Sequence, residues 1–132
     1  SQQRVEAIIA AENERGIPSD RIVLMGFSQG GAVALHAGLR HSQRLAGIGA
    51  LSTYLPLRDT DAADYSQNNI DTSIFMVHGL QDPVVRYEHG KTSYDLLQEM
   101  GYSVDWKNYN MEHNVCGEEI IDISNWLNHC LK

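Results

Sequence analysis

Apolar residues recur along this chain with two different periods that take turns. Val5, Ile8 and Ile9 stand at i, i+3 and i+4 in an Ala- and Glu-rich segment, the spacing of one helical face, and Gly16 followed by Pro18 stops it. The run Arg21–Met25, RIVLM, has strand length. From Gln29 to about Arg40 the small residues Gly31, Ala32, Ala34, Ala37 and Gly38 alternate with Val33 and Leu35, which predicts a helix lying close against a sheet. LAGIGAL (45–51), SIFMVHG (73–79) and SVDWKNY (103–109) are the second, third and fourth predicted strands. Between the last two, Tyr94, Leu97 and Met100 share a helical face and Gly101 suits a C-terminal cap. In GEEIIDISNWLNHCLK the spacing predicts a stripe of Ile120, Ile123, Leu127 and Leu131. Nearly continuous apolar strands alternating with helices predict an α/β, doubly wound parallel sheet covered on both faces. Residues 1–132 are expected to form a single domain.

One stretch breaks the alternation. Ser52 to Asn69, STYLPLRDTDAADYSQNN, is long, polar and turn-rich, and it follows the carboxyl end of a strand, where open α/β sheets place ligands. Tyr54, Leu55, Leu57, Val84, Val85 and Val115 lie near that predicted strand-end face. Tyr54, Leu55, Val84 and Val85 are the candidate substrate-binding residues, against the plainer reading of strand-end apolar residues as core.

Composition narrows the field without choosing within it. The hydrophobic fraction of 42% is that of a globular protein. Seventeen acidic against ten basic residues give a net charge of −7, so a phosphate-binding surface would have to be built against the chain's own field and no nucleic-acid partner is expected. No apolar run approaches the ~20 residues of a membrane helix, and no stretch reads as a basic-then-apolar leader, so none is expected. Cys116 and Cys130 are too few for a disulfide framework; a cytoplasmic location is the expectation.

The sharpest signal is Gly26-Phe27-Ser28-Gln29-Gly30, directly after a strand and opening a helix. In that context G-x-S-x-G reads as a nucleophile elbow: Gly26 and Gly30 leave room for a tight turn, and the helix start aims amides at developing negative charge. Alone, the same pattern also fits a capping serine in a glycine-rich turn. A dinucleotide fingerprint fits poorly, because Ser28 occupies the second glycine's place and no acid stands near Ala50. Serine needs a base and an orienting acid, and in this fold they follow in the order Ser, Asp or Glu, His, each at a strand's carboxyl end. Asp82 stands just past the third predicted strand and His113 just past the fourth. Asp95, Asp105 and Asp122 fall within elements, Asp59, Asp61, Asp64 and Asp71 lie in or beside the long loop, and His36, His89 and His129 sit on helices. His78, ahead of Gly79, suits loop backbone groups instead. The catalytic candidates are therefore Ser28, Asp82 and His113, with the Gln29 backbone N–H as oxyanion donor. A metal site from His113, Cys116, His129 and Cys130 is the weaker rival, because adjacent residues on a helix point apart; no metal is expected.

GFSQGGAVAL, HGLQDPVV, YNMEHNVC and EEIIDISNWL together resemble the bacterial carboxylesterase and acyl-protein thioesterase family of α/β-hydrolases, over essentially the whole chain. The resemblance implies hydrolysis of carboxylic esters or thioesters, including acyl-protein, lysophospholipid and short synthetic esters, without a cofactor. Its motif matches make Ser28 the nucleophile, His113 the general base and Asp82 its orienting carboxylate. Two departures stand out. Glu112 occupies the place of a small residue before His113. The family also begins with additional strands and a glycine-bearing loop that supplies a second oxyanion amide, for which this sequence has no candidate. A complementing N-terminal segment or a homodimer is thus the implied partner, besides a small-molecule or lipidated acyl substrate. The rival expectation is a truncated, catalytically impaired interaction module.

Overall fold

A computed structural model describes residues 2–56 and 65–132. Helix α1 (Gln2–Glu14) leads into strand β1 (Val23–Phe27), followed by α2 (Gln29–Arg40), β2 (Gly47–Leu51), β3 (Ser73–Gly79), α3 (Tyr87–Glu99), β4 (Val104–Tyr109) and α4 (Gly117–Cys130). Gly16 and Gly101 both take φ +95° just beyond α1 and α3, a region open to glycine and strained for other residues. β1 starts two residues later than the RIVLM run suggests. Ser19–Arg21 wind into a 3₁₀ turn in which Arg21 and Ile22 N–H donate to Pro18 and Ser19 carbonyls.

The four strands are parallel and lie in the order β1-β2-β3-β4. Alternation along them sorts the core into two faces. Ile48, Ile74 and Val104 are register partners, as are Ala50, Met76 and Trp106, and they pack with Leu35 and Leu39 of α2, Leu97 of α3 and Ile9 of α1. On the opposite face Leu51, Phe75, Val77 and Tyr109 pack against Trp126 of α4, whose indole stacks on Phe75 at 5.3 Å. The helices therefore cover both faces, as the pattern predicts.

Two expectations need correction. Ile123 and Leu127 of the expected stripe do pack on the core, but Ile120 is 58% exposed and Ile121 62%, so the buried face of α4 is completed by Glu119, Trp126 and Cys130. The large indole, with more surface to bury than an isoleucine, sets the helix's rotation. The Ser52–Asn69 stretch is also less polar in effect than it reads, because Leu55 and Tyr65 are buried in the core. Fully buried Asn69 uses its amide on four partners: Oδ1 accepts from Leu45 N–H and Thr72 Oγ1, and Nδ2 donates to the His41 and Gln43 carbonyls. No helix among the described residues is long and apolar enough to cross a membrane.

Candidate active site

All four strands end on one edge, and the predicted residues meet there. Ser28 sits between β1 and α2 with φ +57° and ψ −119°, a strained conformation for a residue with a side chain. Its N–H donates to the Leu51 carbonyl at 2.7 Å, and its carbonyl accepts the Gly31 and Ala32 amides. The turn is tight enough that a Cβ on Gly26 would come within 2.2 Å of the Gly30 carbonyl group. Gly31 is also confined, though less severely, with a Cβ there 2.7 Å from Thr53 Cγ2, whereas a Cβ on Gly30 meets nothing within 4 Å. The space-demanding pair is thus Gly26 and Gly31, a correction to the G-x-S-x-G reading that assigned it to Gly26 and Gly30. The double glycine was visible in sequence, but only the approach of Thr53 reveals which member matters.

Asp82 and His113 are carried by the loops after β3 and β4. His113 Nε2 lies 3.0 Å from Ser28 Oγ and its Nδ1 lies 2.7 Å from Asp82 Oδ2. The Asp82 side chain is fully buried. Its other oxygen, Oδ1, accepts the Val84 and Val85 amides at 2.9 Å each. Burial alone would push its carboxyl up; the hydrogen bond from His113 and the two amides outweigh that and hold it below the usual carboxylate range. Phe27 leans on the His113 ring at 4.7 Å between centroids. Met111 and Glu112 carbonyls press on Gly79, each 2.4 Å from where a Cβ would stand, so β3 and the His113 loop fit only with glycine there. The Glu112 side chain itself is exposed.

The helix that follows Ser28 supplies the candidate oxyanion donor. Its first intrahelical bonds start at Gly31, so the Gln29 N–H, two residues earlier, is among the amides that a helix start leaves without an intrahelical acceptor.

Beside Asp82 opens a cavity of about 470 Å³, lined by Tyr54, Leu55, Val84, Val85, His89, Thr92, Ser93 and Leu96. The four candidate substrate-binding residues are all in its wall. Val115 is exposed and not part of it, and Leu57 lies outside the described residues. Sequence reasoning missed Ser93, whose Oγ accepts the Leu55 N–H and donates to the His89 carbonyl, fixing the wall to α3. No signal in the sequence singles it out. Among the described residues no group of three or more His, Cys, Asp and Glu is placed to hold a metal ion.

Four parallel strands, helices on both faces and a serine on a strained strand-to-helix turn define an α/β-hydrolase fold. The chain belongs to the phospholipase/carboxylesterase family, which it matches over residues 1–131. Among relatives, it is 42% identical to acyl-protein thioesterase 1 of Yarrowia lipolytica, covering 98% of this chain and 58% of that protein. With acyl-protein thioesterase 1 of Neurospora crassa it shares 46% identity over 96% of this chain and 53% of that one. The chain therefore spans little more than half the length of these relatives. In three dimensions it is similar to SOBER1 of Arabidopsis thaliana, with a TM-score of 0.93 at 29% identity over 99% of this chain and 63% of that structure. It is also similar to acyl-protein thioesterase 2 of Zea mays, with a TM-score of 0.82 at 26% identity over 99% and 63% respectively.

Proposed function

We propose that this protein is a serine hydrolase of carboxylic esters and thioesters that works through an acyl-enzyme on Ser28. The observation that carries the reading is the continuous chain Ser28 Oγ, His113, Asp82, with links of 3.0 and 2.7 Å. His113 Nε2 takes the Ser28 proton as Oγ attacks the acyl carbonyl, and the Gln29 N–H receives the developing oxyanion. The imidazolium then gives its proton to the departing alcohol or thiol. Water, deprotonated by the same nitrogen, attacks the acyl-serine and releases the acid and Ser28. Asp82 fixes the Nδ1–H tautomer and stabilises the positive ring between these transfers.

The apolar cavity beside Asp82 is the site for the acyl chain, and the thioesterase names of the relatives make an acylated protein the leading substrate. The same reading places a complementing segment or a second copy of the chain against the outer edge of β1, where Met25 and Phe27 are exposed. Labelling with a serine-directed fluorophosphonate tests the core of the proposal. We expect stoichiometric labelling that vanishes in Ser28→Ala, together with turnover of acyl thioesters. A folded, full-length sample that takes no Ser28-dependent label would refute it.

A further inference from the structure

His78, the last residue but one of β3, is fully buried and takes no part in the proton transfers described above. Its Nε2 lies 2.7 Å from the Val85 carbonyl oxygen. That oxygen can only accept, so Nε2 carries the hydrogen. The other nitrogen, Nδ1, is buried with no hydrogen-bond partner among the described residues. It faces α3, where a Cβ on Gly90 would stand 2.4 Å from it. Trp106 of β4 stacks along the ring at 6.2 Å and 10°, and Tyr87 of α3 flanks it at 6.3 Å. The imidazole is therefore clamped on three sides, with one donor aimed at one carbonyl.

Val85 is the hinge between this ring and the triad. Its carbonyl accepts from His78 while its N–H donates to Asp82 Oδ1. Asp82 Oδ2 stands 3.6 Å from the same His78 nitrogen, too far to compete with the 2.7 Å bond to His113. Removing the His78 donor would leave a buried carbonyl without a partner, which is unfavourable in the interior. A rotation of the turn from Asp82 to Val85 toward another donor would carry the Val85 amide, and with it the Asp82 carboxylate, away from His113. We propose that His78 is a positioning residue for acyl transfer at Ser28, holding the Val85 peptide so that the Val85 amide holds Asp82 toward His113. The inference rests on the reading of Ser28, His113 and Asp82 as the catalytic triad. Because Val85 also lines the acyl cavity, one imidazole fixes both the cavity wall and the acid.

Two variants of the full-length protein separate positioning from packing. His78→Phe keeps a flat ring against Trp106 but has no donor; His78→Gln offers an N–H to the Val85 carbonyl. For a short thioester substrate, kcat of His78→Phe is expected to fall about 10- to 100-fold with KM within about threefold of wild type. The acid-side midpoint of its kcat/KM profile is expected to move down, since a displaced carboxylate supports the imidazolium less. His78→Gln is expected to recover much of both. A folded His78→Phe with unchanged kcat and unchanged midpoint overturns the proposal, as does a His78→Gln no better than His78→Phe. Nitrogen-15 NMR of the wild-type histidines decides the matter even where the variants do not fold: a hydrogen on Nε2 of His78 supports the link, one on Nδ1 overturns it. Wild-type protein inert to fluorophosphonate would instead bring down the triad reading itself.

Discussion

At Ser28 the backbone conformation and the chemistry are one feature. The positive φ lifts Oγ out of the path of α2 and toward His113, and Gly26 and Gly31 make that turn possible by having no side chains. Alanine at the three glycines should therefore give three different results. Gly26→Ala collides with backbone atoms that cannot move aside, and we expect a loss of more than about 3 kcal/mol or failure to fold. Gly31→Ala, against the end of the Thr53 side chain and the Gly26 carbonyl, should be intermediate. Gly30→Ala should be close to neutral and even gain up to about 1 kcal/mol from helix propensity. Thermal melts of the three variants check the ranking, and equal losses at Gly26 and Gly30 would contradict it.

A second residue sets a pH dependence. Glu119 is fully buried, neither carboxylate oxygen has a hydrogen-bond partner among the described residues, and burial pushes its pKa up to about 7. Below about pH 4.5 the group is protonated in both folded and unfolded chains and does no harm. Between there and about pH 7 the unfolded chain ionises first, so stability declines, and above pH 7 the loss is complete. Glu119→Gln should thus match wild type at pH 4 and exceed it at pH 8 by roughly 3 kcal/mol. A stability difference that does not change with pH would count against this account. At this scale the sequence announces Ser28, Asp82 and His113, because order and strand ends constrain them. It is silent on Glu119 and His78, whose importance comes from what surrounds them rather than from neighbours in the chain.

Among the elements, the strands were the most legible. SIFMVHG matches β3 residue for residue, since a strand buried on both faces reads as a nearly continuous apolar run, here Ile74 to Val77. Helix α4 was legible as a helix but not in its rotation. Three isoleucines within four positions offer several stripes, and only the stacking of Trp126 on Phe75 selects one. The consequence is measurable: Trp126→Ala should cost about 3–5 kcal/mol, whereas Ile120→Ala, on the solvent side, should stay within about 0.5 kcal/mol. The loop between β2 and β3 reads as polar because its anchoring is done by side-chain hydrogen bonds. Asn69→Leu would strand the Leu45 amide and two carbonyls in the interior, and calorimetry should record a loss of at least about 3 kcal/mol. A different element, α1, is tied down by a Ser–His–Glu series of its own. His41 Nδ1 lies 2.9 Å from Glu6 Oε2 and its Nε2 lies 3.4 Å from Ser19 Oγ. Ser19 is only 3% exposed, so a serine, a histidine and a carboxylate serve there as an internal tie, with the hydroxyl out of reach of any substrate.

For the molecule as a whole, the parallel arrangement does what no local motif can. Because every strand points the same way, the segments after β1, β2, β3 and β4 open on one edge, and residues far apart in sequence become a site. The cavity beside Asp82 follows from the same arrangement, with Tyr54 and Leu55 from the end of β2 and Val84 and Val85 from the end of β3 in its wall. Val84, 67% exposed, is the residue to enlarge: Val84→Trp should shift preference toward shorter acyl chains while leaving fluorophosphonate labelling intact. Turnover across a series of acyl lengths reads this out, and an unshifted profile would place the acyl chain elsewhere.

The separation of 85 positions between Ser28 and His113 also carries a consequence in time. A ribosome adding about 5–20 residues per second finishes the turn bearing Ser28 roughly 4 to 17 s before it delivers His113. Under the proposed mechanism the nascent chain holds Ser28 without its base throughout that interval, so esters and thioesters around it would acylate the serine only slowly until β4 has docked.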